Sequence, residues 1–207
     1  MFCGGDVEIR RELRRGNRTA TTHATFFFVL RPNERSMTDT LPPAVADAFD
    51  DHGAFEASEQ GYRVTTTVFD ARVTATDVEG VGHEYTVTVR TPMLDAAVED
   101  EVVGPAVEEG WFETFERRLE DAAGATRARV DLDEHRLRVD DSQAVASFVF
   151  SYGDPNQAAA IAKTLVEYVE GTYVEGIVPG YDYQPPVADL LQASKTAGDN
   201  ERSGTPL

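Results

Sequence analysis

The sequence predicts an α+β fold, an antiparallel sheet with helices on one face in the order α-βββ-α-βββ-α. Three observations carry the prediction. Apolar and polar residues alternate through two groups of short segments, the period of half-buried strands. Connections within each group are too short for anything but antiparallel neighbours. Between and after the groups, apolar residues recur every three to four positions, as in helices that lie on a sheet.

The first helix opens at Pro42-Pro43, because proline suits a first turn whose amide donors are unpaired anyway. Ala44, Val45, Ala48 and Phe49 form its apolar face, and Gly53 is its stop. In the first strand Tyr62, Val64, Thr66 and Val68 alternate with Arg63, Thr65 and Thr67. Val73 and Ala75 follow a turn near Asp70-Ala71, and Tyr85, Val87 and Val89 follow Gly80-Val81-Gly82. Pro92 ends this group. A helical stretch from Leu94 to Ala122 is interrupted at Gly104-Pro105, where proline starts a second helix. Val107, Trp111, Phe115 and Leu119 share a face of it, with Phe112 beside them. Glu108, Glu109 and Glu113 in its first turns and Arg117 and Arg118 in its last complement the helix dipole.

The second strand group is Arg127–Leu132, Arg136–Val139 and Ala144–Tyr152. Asp154-Pro155-Asn156-Gln157 reads as a capped helix start. That helix lays Ile161, Ala162, Leu165, Val166 and Val169 on the sheet and stops near Gly171. Gly171–Pro186 is expected to be non-helical, Val187–Ala193 a short helix, and residues 194–207 a disordered tail.

The 207 residues suffice for one domain, expected over residues 37–193. With 19 basic and 37 acidic residues the net charge is −18, well beyond the roughly 2–8 that keeps a small domain dispersed. Such a surface repels nucleic acid and anionic membranes, so neither is expected as a partner. Lysine is scarce, only Lys163 and Lys195, and arginine supplies the other basic residues. Many carboxylates with few lysines suit a halophile's cytoplasm, where the Debye length falls to about 3 Å near 1 M salt. Cys3 is the only cysteine, which excludes intramolecular disulfides and thiolate-rich metal sites. The longest apolar run, Phe26–Leu30, is far short of the roughly 18 residues of a membrane helix.

Residues 1–36 have a different character. Arg10, Arg11, Arg14, Arg15, Arg18, Arg31 and Arg35 stand against Asp6, Glu8, Glu12 and Glu34, a net charge of +3. Residues 37–207 hold 12 basic and 33 acidic side chains, or −21. The sign reverses at Met37. A mis-called start codon, a disordered basic arm and a targeting segment all fit, and the reversal favours a true start at Met37.

Motifs for chemistry are missing. Asp131-x-Asp133-x-His135 opens like a calcium loop, but Arg136 stands where glycine is required and Ser142 where the bidentate glutamate belongs. His52 and His83 have no second histidine at ligand spacing. Ser151-Tyr152-Gly153 sits at a strand-to-helix turn without the Gly-x-Ser-x-Gly of a nucleophile elbow. No phosphate-cradling glycine pattern occurs. The expectation is therefore no catalytic residue, no metal and no cofactor.

One segment stands above background. Tyr168, Tyr173, Tyr181 and Tyr183 fall within 16 residues, interleaved with Gly171, Gly176, Gly180, Pro179 and Pro185-Pro186. Tyrosine brings rigid, amphipathic area with a polar tip, suited to binding surfaces, and equally to finishing a core. Tyr173, Tyr181 and Tyr183 are the candidate binding residues, with Tyr173 expected inside and Tyr181 and Tyr183 nearer the surface.

Glu108–Ala122 (EEGWFETFERRLEDA) and Ala162–Tyr181 (AKTLVEYVEGTYVEGIVPGY) resemble a haloarchaeal protein family with a domain of unknown function, over roughly Leu41–Ala193. The resemblance implies salt adaptation and a start near Met37, and brings no activity, cofactor or site residue. The element order is similar, more loosely, to the type III secretion chaperone-like fold, α-βββ-α-ββ-α, often dimeric and used to bind other chains; fold alone carries no function. Two readings follow. One is a non-enzymatic, chaperone-like binding or adaptor protein whose partner is a protein chain or a second copy. The other is a small-molecule-binding protein or enzyme with a pocket beneath residues 171–186.

Overall fold

The computed structural model describes residues 41–80 and 82–202, with side chains through Thr196. The expectations for residues 1–36, and for the tail beyond Arg202, lie outside the described residues. Pro42 caps and Pro43 begins helix α1, Pro43–Asp50, which buries Val45, Ala48 and Phe49 and leaves Ala44 exposed. Four strands follow, β1 Phe55–Ser58, β2 Gly61–Val64, β3 Asp70–Asp77 and β4 His83–Pro92. A single turn, α2 Leu94–Ala97, leads to α3, Pro105–Leu119, which starts at Gly104-Pro105 as expected. After a 3-10 turn at Ala122–Ala125 come β5 Glu134–Asp140, β6 Gln143–Tyr152, α4 Pro155–Glu175 and α5 Val187–Arg202.

The class holds: α+β, with one antiparallel sheet and helices on one face. Its six strands run β1-β2-β3-β4-β6-β5. The division of strands is four and two rather than three and three. β1 was not anticipated, since Phe-Glu-Ala-Ser is too short to show a period. It pairs with β2 because Gly61 takes φ +99° in the turn, where a Cβ would lie 2.3 Å from the Val73 carbonyl oxygen.

The expected strand Arg127–Leu132 is irregular. Its alternation is nevertheless real: Val130 is buried, Ala128 and Leu132 are half-buried against the core, and Arg127, Arg129 and Asp131 are exposed. The periodicity reports burial, not pairing. The first strand ends at Val64, so Val68, expected inside, is 47% exposed and Phe69 buries instead. Val107, expected on the apolar face of α3, is 39% exposed, while Trp111, Phe115 and Leu119 are buried.

The core lies between the inner sheet face and α4. Tyr85, Val87 and Val89 of β4 and Phe148 and Phe150 of β6 have no solvent exposure, nor do Leu165, Val166 and Val169 above them. Each such side chain contributes about 1.5–3 kcal/mol by leaving water. Ala158, Ala159 and Ala162 bring the first half of α4 close to its neighbours, and α1 and α3 pack on its flanks. The Asp154 side chain caps α4, accepting from the Asn156 and Gln157 amides at 2.9 and 3.3 Å. Those bonds hold its carboxyl below the usual range, the Gln157 amide contributing most.

Candidate functional site

α4 does not stop at Gly171. That glycine lies on the exposed side of the helix, and the helix continues because Thr172 and Tyr173 still find buried positions. The non-helical segment begins only at Gly176, whose amide bonds the Thr172 and Tyr173 carbonyls. A Cβ at Gly176 would press on the Thr172 carbonyl oxygen at 3.3 Å and touch Trp111 Nε1 in ordinary contact at 3.5 Å. Tyr173 therefore belongs to the core. Its ring meets Phe69, Trp111 and Phe115 edge-on at 5.1, 5.5 and 5.9 Å. Its hydroxyl and the Trp111 Nε1 are buried without a hydrogen-bond partner among the described residues. Burial, with Tyr183 nearby, pushes the Tyr173 phenol well above its ordinary pKa.

Ile177–Pro186 forms a strap over one end of the molecule. Tyr183 donates its hydroxyl to the Val178 carbonyl at 2.7 Å, closing a loop that carries Tyr181 at its tip. Burial raises the Tyr183 pKa, and the Val178 contact opposes the shift. The strap is tied to the residues after β4: Glu99 N–H donates to the Asp182 carbonyl at 2.8 Å and Gln184 N–H to that of Ala97 at 2.9 Å. The Gln184 side chain donates to the Ala96 carbonyl at 2.8 Å. Tyr181 and Tyr183 are half-buried and pack against the core. Thus Tyr173 is a core ring of α4, while the other two candidates belong to the strap.

The loop that leaves this anchor holds Val102, 83% exposed, and leads to Val107. Exposed carboxylates flank the anchor: Asp182 and Glu99, whose backbones are bonded, and Asp100 and Glu101 next to them. Neither Leu94–Glu116 nor Gly171–Ser194 contains a single lysine or arginine. Sequence reasoning picked out the tyrosines but missed this rim and Val102; the long cation-free stretches were the available signal.

The other motifs do not converge. Ser151 donates to Asp133 at 2.9 Å on the outer face of the sheet. The pair of His83 and Asp77, 2.9 Å apart, involves a histidine on the inner side of β4, so serine and histidine cannot share a proton path. His135 stacks on Phe148 at 5.4 Å, while Asp131 and Asp133 are exposed. No metal-holding group of three ligands occurs among the described residues, and none of their helices is long and apolar enough to cross a membrane.

The fold is α+β, and beside the strap it exposes Val102 among carboxylates. Residues 50–193 match a family of unknown function, DUF5813, and the chain belongs to that family. No curated protein and no solved structure matches it.

Proposed function

We propose that the protein is a non-enzymatic binding protein of a salt-rich cytoplasm that holds a basic, apolar-bearing segment of a partner chain at the strap. The observation that carries this reading is the exposed Val102 beside the anchored strap, with Tyr181 and Tyr183 half-buried and carboxylates on segments that contain no lysine or arginine. Tyrosine rings and an exposed valine suit apolar anchors, and a carboxylate rim selects lysine and arginine around them. The element order, α-ββββ-αα-ββ-αα, resembles the α-βββ-α-ββ-α of the secretion chaperones only loosely, an analogy that would suit chain binding.

A photo-crosslinking residue at Val102, introduced in the native host, tests it. The reading expects adducts to one protein through an arginine- or lysine-rich segment, weakened by Tyr181→Ala. Adducts no richer than those from a control position at Glu116 would end it.

A second reading, a small-molecule site beneath the strap, is favoured by the two unpartnered polar atoms, Tyr173 Oη and Trp111 Nε1. Native mass spectrometry of protein from its own host would show the added mass of such a molecule.

A further inference from the structure

The outer face of the sheet carries an arrangement that the strap does not explain. Residues 41–196 hold 11 basic side chains, and five of them, Arg63, Arg72, Arg90, Arg136 and Arg138, occupy outward strand positions. Glu56, Asp70, Glu84, Glu134 and Asp140 stand among them and Asp133 joins through Ser151, so the face is nearly neutral, five basic against six acidic side chains. Of the 30 acidic residues in the same span 24 lie elsewhere, against 6 basic ones.

Ion pairs knit this face. Arg63–Glu56 and Arg136–Glu134 measure 2.6 Å, Arg72–Asp70 3.2 Å, and Asp140 receives both Arg90 and Arg138 at 3.0 and 3.1 Å. The two guanidinium groups hold the Asp140 carboxyl below its ordinary pKa, Arg90 contributing most. Glu84, half-buried, has no side-chain partner among the described residues. Thr86, Thr88, Ser147 and Val149 keep the middle of the face low. Val145, only 2% exposed, sits on this side between Arg90 and Arg138 of the neighbouring strands, apart from the main core. Among the described residues nothing covers the face.

We propose that this face is a self-association surface on which a second copy of the chain packs sheet to sheet. Charge selects the occupant. Elsewhere on the described residues acidic side chains outnumber basic ones four to one, so two copies repel there, whereas on this face they approach without a like-charge penalty. Size agrees: six strands at about 3.4 Å per residue and about 4.8 Å apart present about 700 Å². A stable interface takes about 800 Å² from each partner.

Register supplies the symmetry. The arginines occupy two adjacent cross-strand rows, Arg63–Arg72–Thr88–Ser147–Arg136 and Arg90–Val145–Arg138. The next rows along the strands are Thr74–Thr86–Val149–Glu134 and Thr76–Glu84–Ser151. A two-fold axis across the strands, between the Thr88 and Thr86 rows, turns each arginine row onto one of these. Arg136 then meets Glu134 of the partner subunit, and Arg90 meets Glu84 of the partner subunit, giving that carboxylate the cation it lacks. Such an interface is isologous and closes at two copies. This surface involves the sheet alone and no residue of the strap.

Sedimentation equilibrium of the full chain at constant high salt tests it. The wild type is expected to be a dimer at about 100 μM, and Glu84→Arg to weaken association at least about tenfold by setting arginine against arginine. The double variant Glu84→Arg/Arg90→Glu should restore dimerisation to within about threefold, because the exchanged charges meet again across the axis. Circular dichroism checks that each variant is folded; if Glu84→Arg is not, Thr86→Arg obstructs the middle of the same face. A monomeric wild type, a dimer indifferent to Glu84→Arg, an unrescued double variant, or a different protein occupying the face overturns the assignment.

Discussion

Removing a single oxygen atom from Tyr173 separates the two accounts of what lies beneath the strap. The ring has no solvent exposure and touches Phe69, Trp111 and Phe115, while its hydroxyl has no partner. A buried polar group left unsatisfied costs about 1–3 kcal/mol, so Tyr173→Phe should raise stability, by about 1 kcal/mol once the lost oxygen contacts are counted. Tyr173→Ala should lose about 3–5 kcal/mol, because the cavity opens among three aromatic neighbours and edge contacts worth about 0.5–1.5 kcal/mol each disappear. Urea unfolding at fixed high KCl, followed by tryptophan fluorescence and by circular dichroism, gives both numbers if the two signals coincide. The opposite sign refutes the reasoning. A Tyr173→Phe protein weaker by more than about 1 kcal/mol would mean that the hydroxyl is bonded in solution, and the small-molecule reading would gain accordingly.

Leu165→Ala should cost about 2–5 kcal/mol, as its side chain is fully buried between α4 and the sheet. Asp154→Ala should cost less. Since the folded-state pKa of Asp154 is lowered, its contribution is complete above about pH 4 and fades as the pH falls through the folded value, so variant and wild-type melting curves should converge in acid. Gly61→Ala should destabilise by more than about 1–3 kcal/mol, because the new methyl meets the Val73 carbonyl and the backbone has a positive φ; an unchanged melting temperature would mean the β1–β2 turn has another shape. Stability should rise between about 0.1 and 2 M KCl as the Debye length shrinks from about 10 to about 2–3 Å, and a flat melting temperature would count against salt adaptation.

Much of the fold could be read in advance where one signal had one physical cause. Asp154-Pro155 marked the start of α4 because cap and proline act locally, and Gly104-Pro105 marked α3 in the same way. The misread elements are those where one pattern serves two causes. Arg127–Leu132 alternates because every second residue leans on the core, with no neighbouring strand required. Gly171 permits a helix end without compelling one, and the burial of Thr172 and Tyr173 outweighs its low propensity. α5 likewise runs to Arg202, past the expected end at Ala193, through residues whose composition suggested fraying. Of the candidate site, the tyrosines were visible as composition. Their separation into one core ring and two strap rings depends on where α4 ends, a tertiary matter. The nearly neutral sheet face escaped notice because its arginines come from four strands scattered between Arg63 and Arg138, and only pairing gathers them.

The junction of β4 with β6 at the middle of the sheet has a consequence for how the chain is made. Partners such as Val87 and Phe148 lie about 60 residues apart, a long loop to close before any contact rewards it. Synthesis delivers α1 and the β1–β4 meander first, with β4 as a bare edge and Val87 and Val89 uncovered. The strand that pairs with that edge and the helix that roofs those side chains, β6 and α4, are translated only after α2 and α3. Until then the nascent chain displays a ten-residue strand edge and an apolar row to everything around the ribosome, so the period most prone to aggregation comes before translation ends.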